Sequence, residues 1–226
     1  MIRSILNSIK LKKFYSKIIN ENHLCFDIGA NIGKKSKLFL STGAKVIAFE
    51  PQQECVKNLS ILKTKYKKFS FHVVAIDSCE GNKLLNTSNY SEIATFSDDF
   101  KNIYKNKNVI WLDQRMVTTV SLNKIIELYG LPYFCKIDVE GYEFEILSSL
   151  NFNIPLIEFE VVAGFKKKAI DTINFLNKKN TSYNYTLNEQ PYFQFKNWTN
   201  LKDIINVIKQ LPDNQFHINI FVKNSH

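Results

Sequence analysis

The turn Asp27-Ile28-Gly29-Ala30-Asn31-Ile32-Gly33 is the part of the chain whose residue types and spacing most directly indicate chemistry. Its two glycines, Gly29 and Gly33, follow a short apolar segment and let the backbone approach a ligand more closely than a side chain would allow. Glu50 follows the next apolar segment, where its carboxylate can accept hydrogen bonds from both hydroxyls of a ribose. Together the turn and the acid predict a site for a cofactor that contains adenosine.

The spacing of the glycines narrows the choice of cofactor. A dinucleotide site typically has G-x-G-x-x-G, whereas this turn has G-x-x-x-G. The P-loop pattern G-x-x-x-x-G-K-[ST] is also missed, because the glycines have one spacer too few and Lys35 stands where the magnesium-binding hydroxyl belongs. The turn and Glu50 instead resemble the S-adenosylmethionine site of class I methyltransferases, whose ligand has a ribose but no phosphate.

A second group of acidic residues, Asp138 and Glu140, stands at the end of another apolar segment. In an open parallel sheet, ligands bind beyond the carboxyl ends of the strands. Acids at the end of a buried strand lose hydration, a cost that a surface helix cap does not require. We therefore expect a functional role for Asp138 and Glu140, whereas Glu143 and Glu145 are explained by the dipole of the helix that follows.

Apolar periodicity predicts the elements that must position these residues. Helices are expected at residues 2–20, 32–42, 52–66, 121–129, 141–150, 166–179 and 199–211, and strands at residues 24–28, 45–49, 70–76, 133–138, 155–160, 183–187 and 216–222. Strands that alternate with helices imply a parallel sheet with crossovers. The predicted fold class is therefore α/β, with one Rossmann-like, doubly wound, mostly parallel sheet of seven strands.

Two regions fall outside this alternation. Helix 2–20 is amphipathic, and we expect residues 1–21 to form a helical extension that packs on a domain of residues 22–226, in preference to a membrane anchor. Residues 77–118 have no regular periodicity, and a segment of this length usually serves function or contains a short hairpin. We expect residues 77–118 to border the active site.

Composition limits the partners and the compartment. Lysine supplies nearly all of the positive charge behind the formal net charge of +9, and Arg3 and Arg115 are the only arginines. Because arginine is favoured for bidentate phosphate recognition, nucleic acid is not the expected partner, while an acidic glycan or an anionic membrane surface stays compatible with the charge.

The four cysteines have no C-x-x-C spacing, so neither a zinc site nor a disulfide set is expected. No segment approaches the about 18 apolar residues of a membrane span, and a signal-peptide core is missing, so we expect a cytoplasmic protein.

Three motifs carry a family resemblance: D-I-G-A-N-I-G at 27–33, F-E-P at 49–51 and K-I-D-V-E-G-Y-E at 136–143. In this order and spacing they resemble the FkbM family of S-adenosylmethionine-dependent methyltransferases, over roughly residues 22–222. The resemblance implies that the last strand inserts antiparallel into the sheet. One segment departs from the family pattern: this chain reads Val120-Ser121-Leu122-Asn123 where the family often has an acid.

The resemblance also implies where the cofactor lies. Its methionine moiety is expected beside Asp27, Gly29, Asn31 and Gly33, its ribose on Glu50 next to Pro51, and its adenine near Ala75, Ile76 and Asp77. Asp138 is expected to contact the cofactor as well.

Members of the family typically methylate hydroxyl groups, often on sugars or polyketide-like products. This implies an in-line displacement at a sulfonium methyl group, with a general base that removes the alcohol proton. The candidate bases are Asp138, Glu140, Glu158 and Glu160, of which Glu140 comes first because it can point into the cleft beyond the strand end. Alternatively, Asp138, Glu140 and Glu158 could collect a magnesium ion through their hard oxygen ligands.

The leading expectation is therefore an O-methyltransferase for a sugar, a glycan or another small molecule. The charge of +9 keeps an RNA or protein methyltransferase as the alternative, although the fourth strand ends in I-D-V-E-G and not in the N-P-P-[FY] of base-amine methylation. A non-catalytic binding module that keeps the cofactor pocket is a third class. We expect the determinants of the methyl acceptor in residues 82–118 and 192–198.

Overall fold

The computed structural model describes residues 2–105, 108–212 and 217–225. The strands are β1 Leu24–Ile28, β2 Lys45–Phe49, β3 Phe69–His72, β4 Ala75–Asp77, β5 Gly81–Ser88, β6 Trp111–Ser121, β7 Phe134–Ile137, β8 Leu156–Val162, β9 Thr181–Leu187 and β10 His217–Asn224. The α-helices are α1 Ile2–Tyr15, α2 Lys34–Leu40, α3 Val56–Lys65, α4 Asp98–Tyr104, α5 Leu122–Tyr129, α6 Glu143–Leu147, α7 Lys166–Leu176 and α8 Leu201–Gln210, and a 3₁₀ turn, Gln53–Cys55, precedes α3. Phe216, the first residue of the predicted last strand, lies outside the described residues.

Seven strands form a central sheet in the order β3-β2-β1-β7-β8-β10-β9. The first five of these are parallel to one another, whereas β10 is antiparallel to both β8 and β9. The predicted α/β sheet of seven mostly parallel strands, with an antiparallel last strand, is thus confirmed. The strand order reverses between β1 and β7, so their carboxyl ends form the topological switch point where open α/β sheets bind ligands.

The strands at the switch point are apolar on both sides because helices cover both faces of the sheet. In β1 the four residues after Leu24 are buried, and all four residues of β7 are buried. The buried polar residues Asp27 and Lys136 interrupt this pattern, and they stand side by side in the β1–β7 register. A charged pair in the centre of a sheet costs hydration, so its position next to the switch point indicates function.

A second sheet of three strands, in the order β4-β6-β5, occupies much of the segment that was predicted to be irregular. Its long strands β5 and β6 form an antiparallel hairpin, and β4 runs parallel to β6. The prediction of one strand over residues 70–76 was wrong in this respect, because the chain leaves the central sheet after β3 and enters the second sheet at β4. The connection between β5 and β6, which also contains α4, lies over the switch point through its residues 91–96.

Helix α1 packs on the central sheet and ends at Tyr15, earlier than the predicted residue 20. Phe14 and Tyr15 are buried, and the Tyr15 ring meets the rings of Phe39 and Phe134 edge to face at 5.2 and 6.2 Å between centroids. None of the helices in the described ranges combines the length and the apolar composition that crossing a bilayer requires.

Candidate active site

Gly29 joins three strand ends at the switch point. Its N–H donates to the carbonyl oxygen of Phe49 at 3.0 Å, and a Cβ at this position would lie 1.8 Å from the carbonyl oxygen of Asp138. Its φ of +74° is also one that side-chain-bearing residues rarely adopt. The first glycine of the motif is therefore required so that β1 can turn directly against the residue that follows β7.

Gly33, the second glycine, has a different role. It has a φ of +80° and precedes α2, and a Cβ there would lie 2.4 Å from Cδ1 of Leu62 in α3. Gly33 therefore lets α2 begin close to α3, and the structure places it behind the cavity described below rather than on its wall.

Glu50 is held by backbone N–H groups on both sides of its carboxylate. Its Oε2 accepts from the Asn31 N–H at 2.8 Å and its Oε1 from the Gln52 N–H at 2.9 Å. Burial raises the pKa of Glu50, and these N–H groups partly offset that effect because they favour the charged form. With its geometry fixed in this way, the carboxylate keeps lone pairs for a ligand, as a ribose diol would require.

A cavity of about 520 Å³, counted with the solvent space at its mouth, lies between the switch point and the second sheet. Seven of the residues predicted to contact the cofactor line it: Gly29, Asn31, Glu50, Pro51, Ala75, Ile76 and Asp138. Glu140 lines it as well. Its roof comes from Leu85 and from residues 91–96, so the region with no apolar periodicity does border the cavity.

Asp77 lies next to this cavity without forming its wall. Its carboxylate accepts from Lys83 Nζ at 3.0 Å, from the Tyr142 hydroxyl at 3.1 Å and from the Ser78 N–H at 2.6 Å. Burial opposes ionisation of Asp77, but the Ser78 N–H and Lys83 hold its pKa below the ordinary value. Asp77 thus orders Lys83 and Tyr142, which flank Phe96 on the roof.

Asp27 lines a neighbouring cavity of about 590 Å³ that shares Gly29, Asn31, Asp138 and Glu140 with the first. The side chain of Asp27 is fully buried; its Oδ2 accepts from the Ser36 hydroxyl at 2.6 Å, while its Oδ1 has no partner among the described residues. A buried carboxylate oxygen without a donor is unusual in a folded protein. The structure therefore leaves an acceptor at Asp27 that a cationic ligand group would satisfy.

Three carboxylates meet at the carboxyl ends of β7 and β8, where Asp138 and Glu140 follow β7 and Glu160 is close to the end of β8. Asp138, Glu140 and Glu160 each place an oxygen within 4.8 Å of the others. Lys136 Nζ contacts Asp138 Oδ2 at 2.7 Å, and His217 Nε2 contacts Glu160 Oε1 at 2.5 Å. Burial opposes ionisation of Asp138, but the Lys136 ammonium holds its pKa below the ordinary value. We call Asp138, Glu140 and Glu160 the carboxylate cluster.

Within the part of the chain that the structure describes, Glu140 is the member of the carboxylate cluster that makes no ion pair. Burial, followed by the neighbouring Glu160 and Asp138 carboxylates, raises its pKa well above the ordinary value. Its backbone has a φ of +56°, and its carbonyl oxygen accepts from the Thr95 hydroxyl at 2.7 Å. A left-handed conformation at a glutamate is unfavourable and persists where surrounding contacts impose it, so the roof helps to aim Glu140.

Glu158, predicted as a candidate base and magnesium ligand, lies outside the carboxylate cluster. It is fully buried, and both of its oxygens accept from the Tyr15 hydroxyl at 3.0 Å. Strand register explains the difference, because Glu158 pairs with Lys136 inside the sheet, whereas Glu160 stands two residues further on, past the last β7 residue. The set Asp138, Glu140 and Glu158 is therefore not brought together, and Glu160 takes the place of Glu158.

His217 is a residue of this site that the sequence reasoning missed. It begins β10, and because β10 is antiparallel to β8 its first residue meets the carboxyl end of β8. Burial opposes protonation of His217, but the contact with Glu160 raises its pKa above the ordinary value. The family topology predicts an antiparallel last strand, whose first residue comes to the carboxyl end of its neighbour. This rule alone could have identified His217 as a residue of the site.

The segment 192–198, expected to help select the methyl acceptor, lies elsewhere. Tyr192, Phe193 and Trp198 line a third cavity together with Tyr133 and Leu156, which stand at the amino ends of β7 and β8. The carboxylate cluster lies at the opposite ends of these strands. The aromatic residues of segment 192–198 therefore do not face the carboxylate cluster.

Comparison with known proteins gives a family and a fold. The family model for the methyltransferase FkbM domain matches residues 27–199. Among solved structures, a methyltransferase FkbM from Methylobacillus flagellatus matches with a TM-score of 0.50 and 12% identity, covering 89% of this chain and 44% of that chain. A precorrin-6y C5,15-methyltransferase from Geobacter metallireducens matches with a TM-score of 0.50 and 10% identity, covering 97% and 87% of the two chains. The chain thus spans less than half of the first of these structures, and a search of curated proteins gave no match.

Proposed function

The chain belongs to the FkbM family of S-adenosylmethionine-dependent methyltransferases, and from this premise we propose that it methylates a hydroxyl group on a sugar, a glycan or another small molecule. The observation that carries the proposal is Glu140, a half-buried carboxylate that forms no ion pair with another described residue and lines both cavities where they meet. If the first cavity holds the nucleoside half of the cofactor and the second its amino-acid half, a base where the two cavities meet stands beside the sulfonium that joins the halves, as methyl transfer to a hydroxyl requires.

The walls of the first cavity fit the nucleoside half of the cofactor. Glu50, fixed by two backbone N–H groups, would accept from the ribose hydroxyls. Ala75, Ile76 and Leu85 offer the apolar slot that a purine ring needs, and Phe96 stands beside them on the roof.

Asp27 fits the amino-acid half of the cofactor. Its Oδ1 is buried and lacks a donor among the described residues, and it lies in the cavity next to the ribose carboxylate. An ammonium group at this position would replace the missing donor and offset the desolvation that raises the pKa of Asp27. Asp27 therefore selects for a ligand that carries a positive charge beside its nucleoside.

When bound, S-adenosylmethionine supplies an electrophilic methyl group on its sulfonium sulfur. Glu140 would accept the proton of the acceptor hydroxyl. At the same time the oxygen of that hydroxyl would bond to the methyl carbon, and the bond between this carbon and the sulfur would break. Because its pKa is raised, Glu140 is a stronger base than an ordinary glutamate once it is ionised. Asp138 stays ionised through Lys136 and would orient the groups around the reaction centre.

The carboxylate cluster does not fit a magnesium ion well. Its oxygens are hard ligands and converge, but Asp138 and Glu160 already contact the cationic Lys136 and the titratable His217. A metal ion would have to displace both contacts or share its ligands with them. The proposed reaction uses no metal ion.

The proposal is tested with the full chain and S-adenosylmethionine that carries a deuterated methyl group. Neutral saccharides, acidic saccharides, small metabolites, RNA and protein are offered as separate acceptor fractions, and the products are analysed by mass spectrometry. A deuterated methyl ether on a saccharide or small-molecule hydroxyl supports the proposal. Label found only in RNA or protein overturns it, as does tight binding of S-adenosylhomocysteine without transfer to any fraction.

A further inference from the structure

We propose that the third cavity is a binding site for an acidic saccharide, separate from the site of methyl transfer. It encloses about 710 Å³ and is bounded by α1, by residues 191–198 and by the amino ends of β7 and β8. Lys223, near the end of β10, pairs in register with Leu156, the first residue of β8. Because the carboxylate cluster lies at the carboxyl ends of β7 and β8, the two sites are at opposite ends of these strands.

The aromatic residues of the third cavity divide into two sets. Phe193 is packed edge to face against Phe14 at 4.9 Å and against Phe221 at 5.0 Å between ring centroids, so it fixes the wall to α1 and to the core. Tyr192 is 53% exposed, and Trp198 is only partly buried and lines the recess. Tyr192 and Trp198 therefore present flat, partly apolar surfaces to solvent on a rigid support, which suits the apolar C–H face of a pyranose ring.

The charge of the third cavity is positive. Lys17 and Lys223 line it, no acidic residue lines it, and Lys223 Nζ lies 5.4 Å from the Trp198 ring centroid. Lys17 forms no ion pair among the described residues. The cavity beside the carboxylate cluster has an excess of negative charge, since two lysines, Lys34 and Lys35, line it against five acids: Asp27, Glu92, Asp138, Glu140 and Glu189. An anionic ligand is therefore attracted to the third cavity and disfavoured at the carboxylate cluster.

The shape of the third cavity favours a saccharide over a lipid surface as its anionic ligand. The aromatic surfaces and both lysines border a concave recess, and concave sites are typical of small ligands. One or two sugar units enter such a recess, with carboxylates at Lys17 and Lys223 and a ring against Trp198. A bilayer surface would instead rest on the convex outer side of α1 and leave the recess unfilled.

Isothermal titration of the full chain with tri-galacturonic acid, and with maltotriose as the neutral match, tests the proposal. We expect the acidic trisaccharide to bind and to lose affinity as salt is added, whereas maltotriose binds at least about tenfold more weakly. Trp198→Ala should weaken the acidic trisaccharide about tenfold, and Trp198→Tyr should retain most of the affinity. Lys223→Gln and Lys17→Gln should each weaken binding several-fold, while Lys57→Gln, on the exposed side of α3, should not.

S-adenosylhomocysteine affinity serves as the folding control for every variant, and it separates this inference from the proposed function. Equal binding of the two trisaccharides, or acidic binding that survives both lysine substitutions, would overturn the proposal. So would binding of the chain to vesicles of anionic phospholipid when the acidic trisaccharide does not bind. If Trp198→Ala does not fold, the lysine variants still decide the outcome.

Discussion

The Tyr15 hydroxyl lies 3.0 Å from both carboxylate oxygens of Glu158 and so ties α1 to the middle of β8. Burial raises the pKa of Glu158, and the hydroxyl opposes that shift because it hydrogen-bonds to the charged form. We expect Tyr15→Phe to lower the free energy of unfolding by about 1–3 kcal/mol, since it leaves a buried carboxylate without its donor.

The loss in Tyr15→Phe should depend on pH. Without the hydroxyl, the pKa of Glu158 in the folded chain rises further above its value in the unfolded chain, so stability falls as pH increases through that range. Urea denaturation should therefore show a larger loss at about pH 8 than at about pH 5. Tyr90→Phe, at an exposed tyrosine, is the control; an equal loss at both pH values would contradict the assignment.

Glu50→Ala should weaken S-adenosylhomocysteine binding by more than about tenfold, because each hydrogen bond to a charged group contributes about 1.5–3 kcal/mol. Calorimetry measures the dissociation constant, and circular dichroism checks the fold. Glu54→Ala is the matched control, since Glu54 is nearby but exposed and paired with Arg115 at 2.5 Å. Undiminished affinity in Glu50→Ala would remove Glu50 from the ribose site.

Glu140→Gln should slow methyl transfer about 100-fold and leave S-adenosylhomocysteine affinity nearly unchanged. In the unaltered chain the base must lose its proton first, so the rate should rise with pH around an apparent pKa above the ordinary 4.5 of a glutamate. The variant should lack this rise. Glu92→Gln, which changes an exposed acid on the same two cavities, should keep both the rate and the pH profile; a full rate in Glu140→Gln would place the base elsewhere.

Glu143 makes a separate contribution to the pH dependence of stability. Burial raises its pKa to about 8 from the ordinary 4.5, so its contribution is complete below the unfolded value and is lost as pH rises through about 8. Glu143→Gln keeps an oxygen for the Val139 and Gly141 N–H groups and should become progressively more stable than the unaltered chain over this range. Glu145→Gln, at an acid paired with Lys168, should show no such trend in urea denaturation.

Gly29→Ala and Gly130→Ala form a matched pair for the switch point. Both glycines have a positive φ, but a Cβ at Gly29 would lie 1.8 Å from the Asp138 carbonyl oxygen, whereas nothing lies within 4 Å of one at Gly130. We expect Gly130→Ala to cost about 1–2 kcal/mol and Gly29→Ala to cost more than about 4 kcal/mol or to prevent folding. Similar melting temperatures for the two variants would show that β1 and β7 can separate.

Sequence patterning placed the strands of the central sheet because those in its middle are largely apolar, although it ran β3 and β4 together as one strand. It failed for β5 and β6 because the hairpin is half exposed: Leu84, Leu112 and Met116 face solvent, and polar residues separate them. The start of α4 did carry a readable signal, since the Ser97 hydroxyl accepts from the Phe100 N–H and two aspartates follow. Turn and cap chemistry would have found α4 where apolar periodicity could not.

A residue of the candidate site could be located from the sequence only where the end of its strand could be located. Asp138 and Glu140 follow β7 directly, so their place at the sheet edge came from the apolar run before them. Glu160 and Glu158 differ only in register against β7, and a one-strand pattern contains no information about how far its neighbour extends. The contact between Tyr15 and Glu158 spans 143 positions, which no local pattern specifies.

The division of the first cavity between two sheets separates its two tasks physically. The central sheet supplies Gly29, Glu50 and Asp138, which are fixed by parallel pairing, whereas the roof belongs to a hairpin and its connection. The second sheet and the roof supply Ala75, Ile76, Leu85 and Phe96 to the same cavity. A change in how the two sheets pack would therefore alter the width of the apolar slot and leave the polar contacts at the strand ends in place.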